Sequence, residues 1–308
     1  MKYSYYIADV FTDQPFHGVP LPVFTDATGL TDKKMLQIAG ELNASNAIFL
    51  IFCEQKSIYS IKAFSKFEEV SIGSHAILAA SYVLAKIGVV SLTAQHTLIT
   101  FESNWTGTTQ SINTYVSKDE QGSPALVQQT YQTNPAIDRF TPTKEELAAM
   151  LSLSPADIGF DNYRALIVSC GAPYLIVPIR SYSAIRAAKF NESAWSNSSA
   201  PTSLAQEILL FANNTDENPA DFHARLLGPA IAHYEDPPIG GAIPAFANHI
   251  CAHPHIQTGT HVFGIQRGAN EGRKSMFYVE MDNKQSKGLT IRIGGHAVLM
   301  SEANIKVN

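Results

Sequence analysis

The chain has 308 residues, enough for two domains and for a core that needs no staples. Its 22 lysines and arginines against 27 aspartates and glutamates give a formal charge of −5, which offers neither nucleic acid nor an anionic membrane a basic partner surface. Three cysteines, Cys53, Cys170 and Cys251, without a CxxC spacing speak against a disulfide framework and a structural zinc site, and fit a reduced cytoplasm.

No apolar run approaches the ~18 residues of a membrane-spanning helix. The start, Met1 to Phe11, reads as a first strand rather than a signal peptide. A turn-rich stretch, Asp13 to Pro20, follows. Thr31 or Asp32 caps a helix whose apolar face is Met35, Ile38 and Leu42. Ala47 to Phe52 is a buried strand, and Tyr59, Ile61 and Ala63 alternate with polar residues in another. Ser74 to Ile87 is an alanine-rich helix so apolar on most sides that strands must wrap it. Further strands are predicted over 92–135. The polar, Gly- and Pro-bearing cluster Asp119 to Pro124 is placed as a domain linker. Thr143-Lys144-Glu145-Glu146 is a capping box opening a helix to about Leu151. Ala165 to Ile179 is strand material around Cys170-Gly171-Ala172-Pro173, and Asn191 to Thr202 reads as a solvated loop. A second apolar helix spans Gly240 to His253, ended by Pro254, with strands near 259–266, 275–281 and 289–294.

A faint repeat joins the two apolar helices. Glu69-Val70-Ser71-Ile72-Gly73-Ser74-His75-Ala76-Ile77 aligns with Glu235-Asp236-Pro237-Pro238-Ile239-Gly240-Gly241-Ala242-Ile243. Two small-residue loops each feeding a helix N-terminus present free backbone N–H groups, a ready site for a carboxylate. His75 is a candidate acid/base or binding group there; otherwise it is a surface histidine near a helix start. Glu235-Asp236, before rigid Pro237-Pro238, is a candidate acid or a solvated turn. Asn43-Ala44-Ser45-Asn46 reads first as a helix stop and turn. His249 and His253 share one helix face, but Cys251 points elsewhere and the C-terminal dipole favours imidazoles there, so no metal is expected. Cys170 is expected to be inert packing rather than a nucleophile.

The order of motifs carries a resemblance. It runs through Asp9-Val10-Phe11-Thr12, then Pro15-Phe16-His17-Gly18-Val19-Pro20, then Asn43-Ala44-Ser45-Asn46-Ala47-Ile48-Phe49. Phe64, Glu69-Val70 and His75 follow, then Glu235-Asp236 before a glycine-containing helix entry, and Ile291-Arg292-Ile293-Gly294-Gly295 near the end. Together they resemble the PhzF-like family of phenazine-biosynthesis isomerases over essentially the whole chain. The resemblance implies an α+β, diaminopimelate epimerase-like fold of two similar halves, each a barrel-like set of strands around a central helix. We place the halves at 1–118 plus 288–308 and at 125–287. It implies a homodimer, an active site in the cleft between halves, and isomerisation of trans-2,3-dihydro-3-hydroxyanthranilate by moving a proton along an allylic system without cofactor or metal. By motif position, His75 and Asp236 handle protons, while Ser45, Asn46, Gly73, Ser74, Gly240 and Gly241 bind.

The departures from the family pattern matter as much. Its catalytic Glu falls on Asn46, an amide that cannot exchange a proton near neutral pH. The Gly before its His is Ser74, its Thr-Gly-Ser is Ile239-Gly240-Gly241, and the Asn of its early Gly-Asn-Pro is Val19. The paired cysteines of the related epimerases fall on Gly73 and Ile239, which removes that chemistry. The expectation is a cofactor-independent isomerase with altered acid/base groups, acting on a small carboxylate-bearing metabolite. The alternative is a catalytically silent member that binds a small ligand or protein partner.

Overall fold

A computed structural model describes the chain except for residues 106, 214–219, 232–235, 255, 257, 269–271, 285–288 and 308, and the side chain of residue 230. Strands β1 to β8 are Lys2–Val10, Val19–Phe24, Ala47–Cys53, Ile58–Phe64, Glu69–Val70, His96–Ser103, Gln110–Lys118 and Pro124–Thr133. Helices α1 and α2 are Asp32–Glu41 and Ser74–Lys86. Strands β9 to β16 are Ala136–Asp138, Leu166–Cys170, Ala172–Pro178, Glu207–Asn213, Phe222–Leu227, Gly259–Arg267, Ser275–Asn283 and Leu289–Gly295, and β17 is Ala297–Lys306. Helices α3 to α6 are Lys144–Leu151, Tyr182–Ala187, Glu192–Ser196 and Ile243–Cys251. The chain divides into two compact units, Met1–Thr130 with Ile293–Asn308, and Tyr131–Arg292.

In the first unit, β17 pairs with β1, β1 with β2, β3 with β4, β6 with β7 and β7 with β8, all antiparallel. The β2–β3 and β4–β6 pairs are parallel. This strand set surrounds α2, which packs against β1, β2, β3, β7 and β17. Ser74 and every residue from Ala76 to Ala85 are buried. A helix apolar on all sides has no stable place but the interior, and its alanines let the strands approach closely. The outer helix α1 starts at Thr31, whose Oγ1 accepts the Lys34 N–H. Its Met35, Ile38 and Ala39 cover Phe24, Phe49 and Phe64, with Phe24 and Phe49 stacked 4.7 Å apart. The early motif residues build the β1–β2 connection. Buried Asp9 accepts the Phe16 N–H at 2.9 Å, and Gly18 takes a left-handed φ of 64° where a Cβ would come 2.1 Å from the Val10 oxygen.

The second unit pairs β9 with β10, β10 with β11, β12 with β13 and β14 with β15 antiparallel, and β11 with β12 and β13 with β14 parallel. Its buried helix is α6, entered through a 3₁₀ turn at Gly240–Ala242 and packed on β10, β11 and β15. Helices α3, α4 and α5 cover a cluster that includes Val177, Leu210 and Trp195. The capping box of α3 is present as predicted, with Thr143 and Glu146 each accepting the other's backbone N–H. Each unit therefore has strands around one buried helix, the α+β architecture expected.

Two sequence expectations need correction. Asp119 to Pro124 is not a linker but the tight β7–β8 turn, where Asp119 Oδ1 accepts the N–H groups of Gln121 and Ser123 at 2.9 and 2.8 Å. The supposed loop Asn191 to Thr202 holds α5 and a 3₁₀ turn at Ala200–Thr202, because the Asn191 side chain caps Ala194. Helix α4 and strands β12 and β13 were not anticipated. Among the described residues no helix is long and apolar enough to cross a membrane.

Candidate active site

The loop after α1 does two jobs. Asn43, at a left-handed φ of 46°, stops the helix. Three residues later, half-buried Asn46 points its amide at the α2 entry, and its Nδ2 donates to His75 Nε2 at 2.8 Å. With Nε2 accepting, the neutral ring carries its proton on Nδ1. The Nδ1 atom is buried and has no hydrogen-bond partner among the described residues. Burial pushes the His75 pKa down to about 4, so the ring is neutral at pH 7.

Gly73 is the N-cap of α2 and supplies no capping side chain. A Cβ there would lie 2.7 Å from His75 Cε1 and 2.8 Å from Nδ1, so the imidazole occupies the space that any side chain at position 73 would need. Next to it, Ser74 Oγ is buried without a hydrogen-bond partner among the described residues. An uncapped helix start, an unused hydroxyl and a neutral imidazole suit a small carboxylate. Asn46, Gly73, Ser74 and His75 are thus brought together. Ser45 is exposed, and its hydroxyl forms no hydrogen bond among the described residues.

In the second unit Asp236 sits among arginines. Arg186 Nη1 donates to its Oδ2 at 3.0 Å, and Arg225 Nε lies 3.5 Å from its Oδ1. Arg267 donates from Nη2 to its backbone carbonyl and from Nε to that of Pro237, at 3.2 Å for the second. Both carboxylate oxygens of Asp236 thus face a guanidinium, an arrangement that ties the side chain to two neighbouring elements. Fully buried His223 lies against this cluster. Its pKa falls to about 4, chiefly by burial and further through the Arg186 charge, which outweighs the opposing pull of Asp236. Gly240 is buried and Gly241 exposed. A Cβ at Gly241 would meet the Tyr174 hydroxyl at 2.9 Å. Tyr174 pairs in register with Glu207; burial raises both pKa values, and the Glu207 charge raises that of Tyr174 further. Glu235 and His255 lie outside the described residues.

Sequence reasoning missed Arg186, Arg225, Arg267, His223 and Tyr174. A signal existed for two of them. Arg225 within FHARLL and Arg267 at the end of an apolar strand are charges where a core is being built, and such charges need partners. The thiols are inert: Cys170 accepts from Asn248 Nδ2 at 3.2 Å, and burial raises Cys170 and Cys251 to about 11 each. The two positions of the epimerase cysteines are a glycine without room and Ile239, which is fully buried. His249 Nε2 and both nitrogens of His253 bond to backbone groups, and no cluster of metal-ligating side chains occurs among the described residues.

Comparison with known proteins agrees with the motif order. An uncharacterized isomerase of Mesorhizobium japonicum is 27% identical over 98% of both chains. The trans-2,3-dihydro-3-hydroxyanthranilate isomerase of Pseudomonas aeruginosa is 23% identical over 97% of this chain and 98% of its own. The crystal structure of a PhzF-family phenazine biosynthesis protein from Bacillus anthracis superposes with a TM-score of 0.82 at 21% identity, covering 100% of each chain, and so shares the fold. The model of the phenazine biosynthesis-like (PhzC-PhzF) proteins matches residues 8–303, and the chain belongs to this family of isomerases.

Proposed function

We propose that the chain is a PhzF-type isomerase that moves a proton on a small carboxylate-bearing metabolite, with His75 as the proton carrier and no cofactor required. The observation that carries this is the Asn46–His75 hydrogen bond at the uncapped start of α2. In the free protein the Asn46 amide covers the Nε2 lone pair. When a substrate oxygen accepts that amide proton instead, Nε2 is free to take a proton from one carbon of the substrate. The resulting imidazolium, in surroundings that disfavour its charge, returns the proton to another carbon of the same molecule. The first-turn N–H groups of α2 and the Ser74 hydroxyl hold the carboxylate and offset charge as it develops.

Asp236 is assigned a different part from the one expected. Its arginine partners support an ordering role for the loop that enters the second buried helix, where the backbone of Gly240 and Gly241 is assigned to binding. The isomerase of P. aeruginosa acts on trans-2,3-dihydro-3-hydroxyanthranilate; an amide at position 46 points to a different substrate here. Family likeness is also the ground for expecting a homodimer.

Solvent deuterium incorporation tests the reading. Cyclic and amino-acid-like carboxylates are incubated with the protein in D₂O and weighed by mass spectrometry. At least one should gain deuterium with the native protein and none with His75→Asn. Binding detected by calorimetry without any exchange would leave the chain a silent binder. Full exchange by His75→Asn would remove His75 from the chemistry.

A further inference from the structure

The second unit holds a cavity of about 810 Å³ and an adjoining one of about 450 Å³, which share Arg139, Asp161, Tyr163 and Arg164 in their walls. None of the residues assigned above to the isomerase chemistry lines either one. The larger cavity is also lined by Lys144 and Arg180. Four cations against the single acid Asp161 gather here in a chain whose overall charge is −5. None of the four forms an ion pair among the described residues. Such a concentration of exposed positive charge around a concave surface raises the local potential and draws anions to it.

The loop that carries Arg164 is firmly built. His249 Nε2 donates to the Arg164 carbonyl at 2.7 Å, and the Arg164 N–H donates to His253 Nε2 at 3.1 Å. His253 Nδ1 in turn donates to the His249 carbonyl at 2.8 Å. The two imidazoles that resembled metal ligands thus fix both polar backbone groups of one residue whose side chain is an exposed guanidinium. Tyr163 is clamped edge-on against Phe160, Phe211 and His253, at 5.1 to 5.5 Å between ring centres. Arg180 is anchored through Nε to the Ala156 carbonyl at 2.8 Å.

We infer that this cavity is a second ligand site, separate from the isomerase chemistry, for a phosphorylated small molecule of nucleotide size. The volume lies within the range of about 300–1,000 Å³ usual for small-molecule sites. Planar guanidiniums match phosphoryl oxygens in pairs, and a lysine adds a point charge. Tyr163 supplies apolar surface in the same wall.

Isothermal titration calorimetry of the intact protein at low ionic strength tests this with ATP, pyrophosphate, inorganic phosphate and citrate. ATP and pyrophosphate should bind saturably, more tightly than citrate, and both should weaken as salt rises. Arg139→Gln and Arg180→Gln, at exposed positions, should each weaken binding by about tenfold, the scale of one charge-assisted hydrogen bond, with unchanged circular dichroism. His75→Asn should leave phosphate binding as it is. Absence of saturable binding up to about 10 mM, unaltered binding in both arginine variants, or loss of binding in His75→Asn would overturn the site. Citrate binding as tightly as pyrophosphate would overturn the phosphoryl assignment.

Discussion

A carboxylate at position 46 would face His75 Nε2, where an amide now stands 2.8 Å away. A positioned acid/base group is worth about 10²–10⁴-fold in rate, or roughly 3–5 kcal/mol of barrier. Asn46→Glu should therefore create or raise isomerisation of trans-2,3-dihydro-3-hydroxyanthranilate at least tenfold, followed by chromatography of substrate and product. No gain from a folded variant would place further divergence elsewhere in the pocket. The cluster at Gly73, Ser74 and His75 was legible because a small-residue loop before an apolar helix leaves few other arrangements. The reason for Gly73 was not. It lies in the fold of the His75 ring over its own N-cap, a rotamer outcome that residue spacing does not encode. Asn46 shows the same limit, since a helix stop and a reach toward His75 use the same residue types.

Between elements, Asp236 acts as a knot. Its partners come from three of them: Arg186 from α4, Arg225 from β13 and Arg267 from β14. Arg225 also donates from Nη1 to the Ile185 and Ala188 carbonyls, closing the end of α4. Removing one partner of a fully buried ion pair costs roughly 3–5 kcal/mol. The Asp236 side chain keeps 18% exposure, so Asp236→Asn should destabilise by less, about 2–3 kcal/mol, read by urea unfolding. A change below about 0.5 kcal/mol, the scale of an ordinary surface substitution, would deny the ordering role. Arg225 and Arg267 stood out as charges in core strands, but their shared partner did not, because the arginines are distant in sequence and come together only once the strands pair. Helices α1 and α3 were legible through Thr31 and Thr143, whose side chains stop the chain from fraying at a defined residue. Helices α4 and α5 span six and five residues, too short to display an apolar period. Their caps Ser181 and Asn191 were the available signal, masked by the polar composition around them.

At the scale of the molecule, stability in acid depends on histidines enclosed in the second unit. His223 and His249 are both fully buried, and burial lowers their pKa values to about 4 and about 3. In the unfolded chain a histidine titrates near the ordinary 6.5. Above pH 6.5 neither state binds these protons, and the full stability is present. Below it the unfolded chain takes up protons that the folded chain refuses, so stability falls as pH falls toward the folded values. Each histidine should remove about 3 kcal/mol between pH 6.5 and pH 4. His75 in the first unit, also lowered to about 4 by burial, acts in the same direction. Two such losses rival the whole stability of many domains, about 5–15 kcal/mol. Urea unfolding from pH 8 to pH 4 should therefore show a steep decline beginning near pH 6.5, above the range of ordinary carboxylates. His249→Gln, which keeps a donor for the Arg164 carbonyl, should flatten that decline by about 3 kcal/mol at pH 4, whatever it does to stability at pH 8. An unchanged slope in this variant would mean that His249 accepts its proton while folded, which its enclosure beneath Tyr163 and Phe211 should prevent.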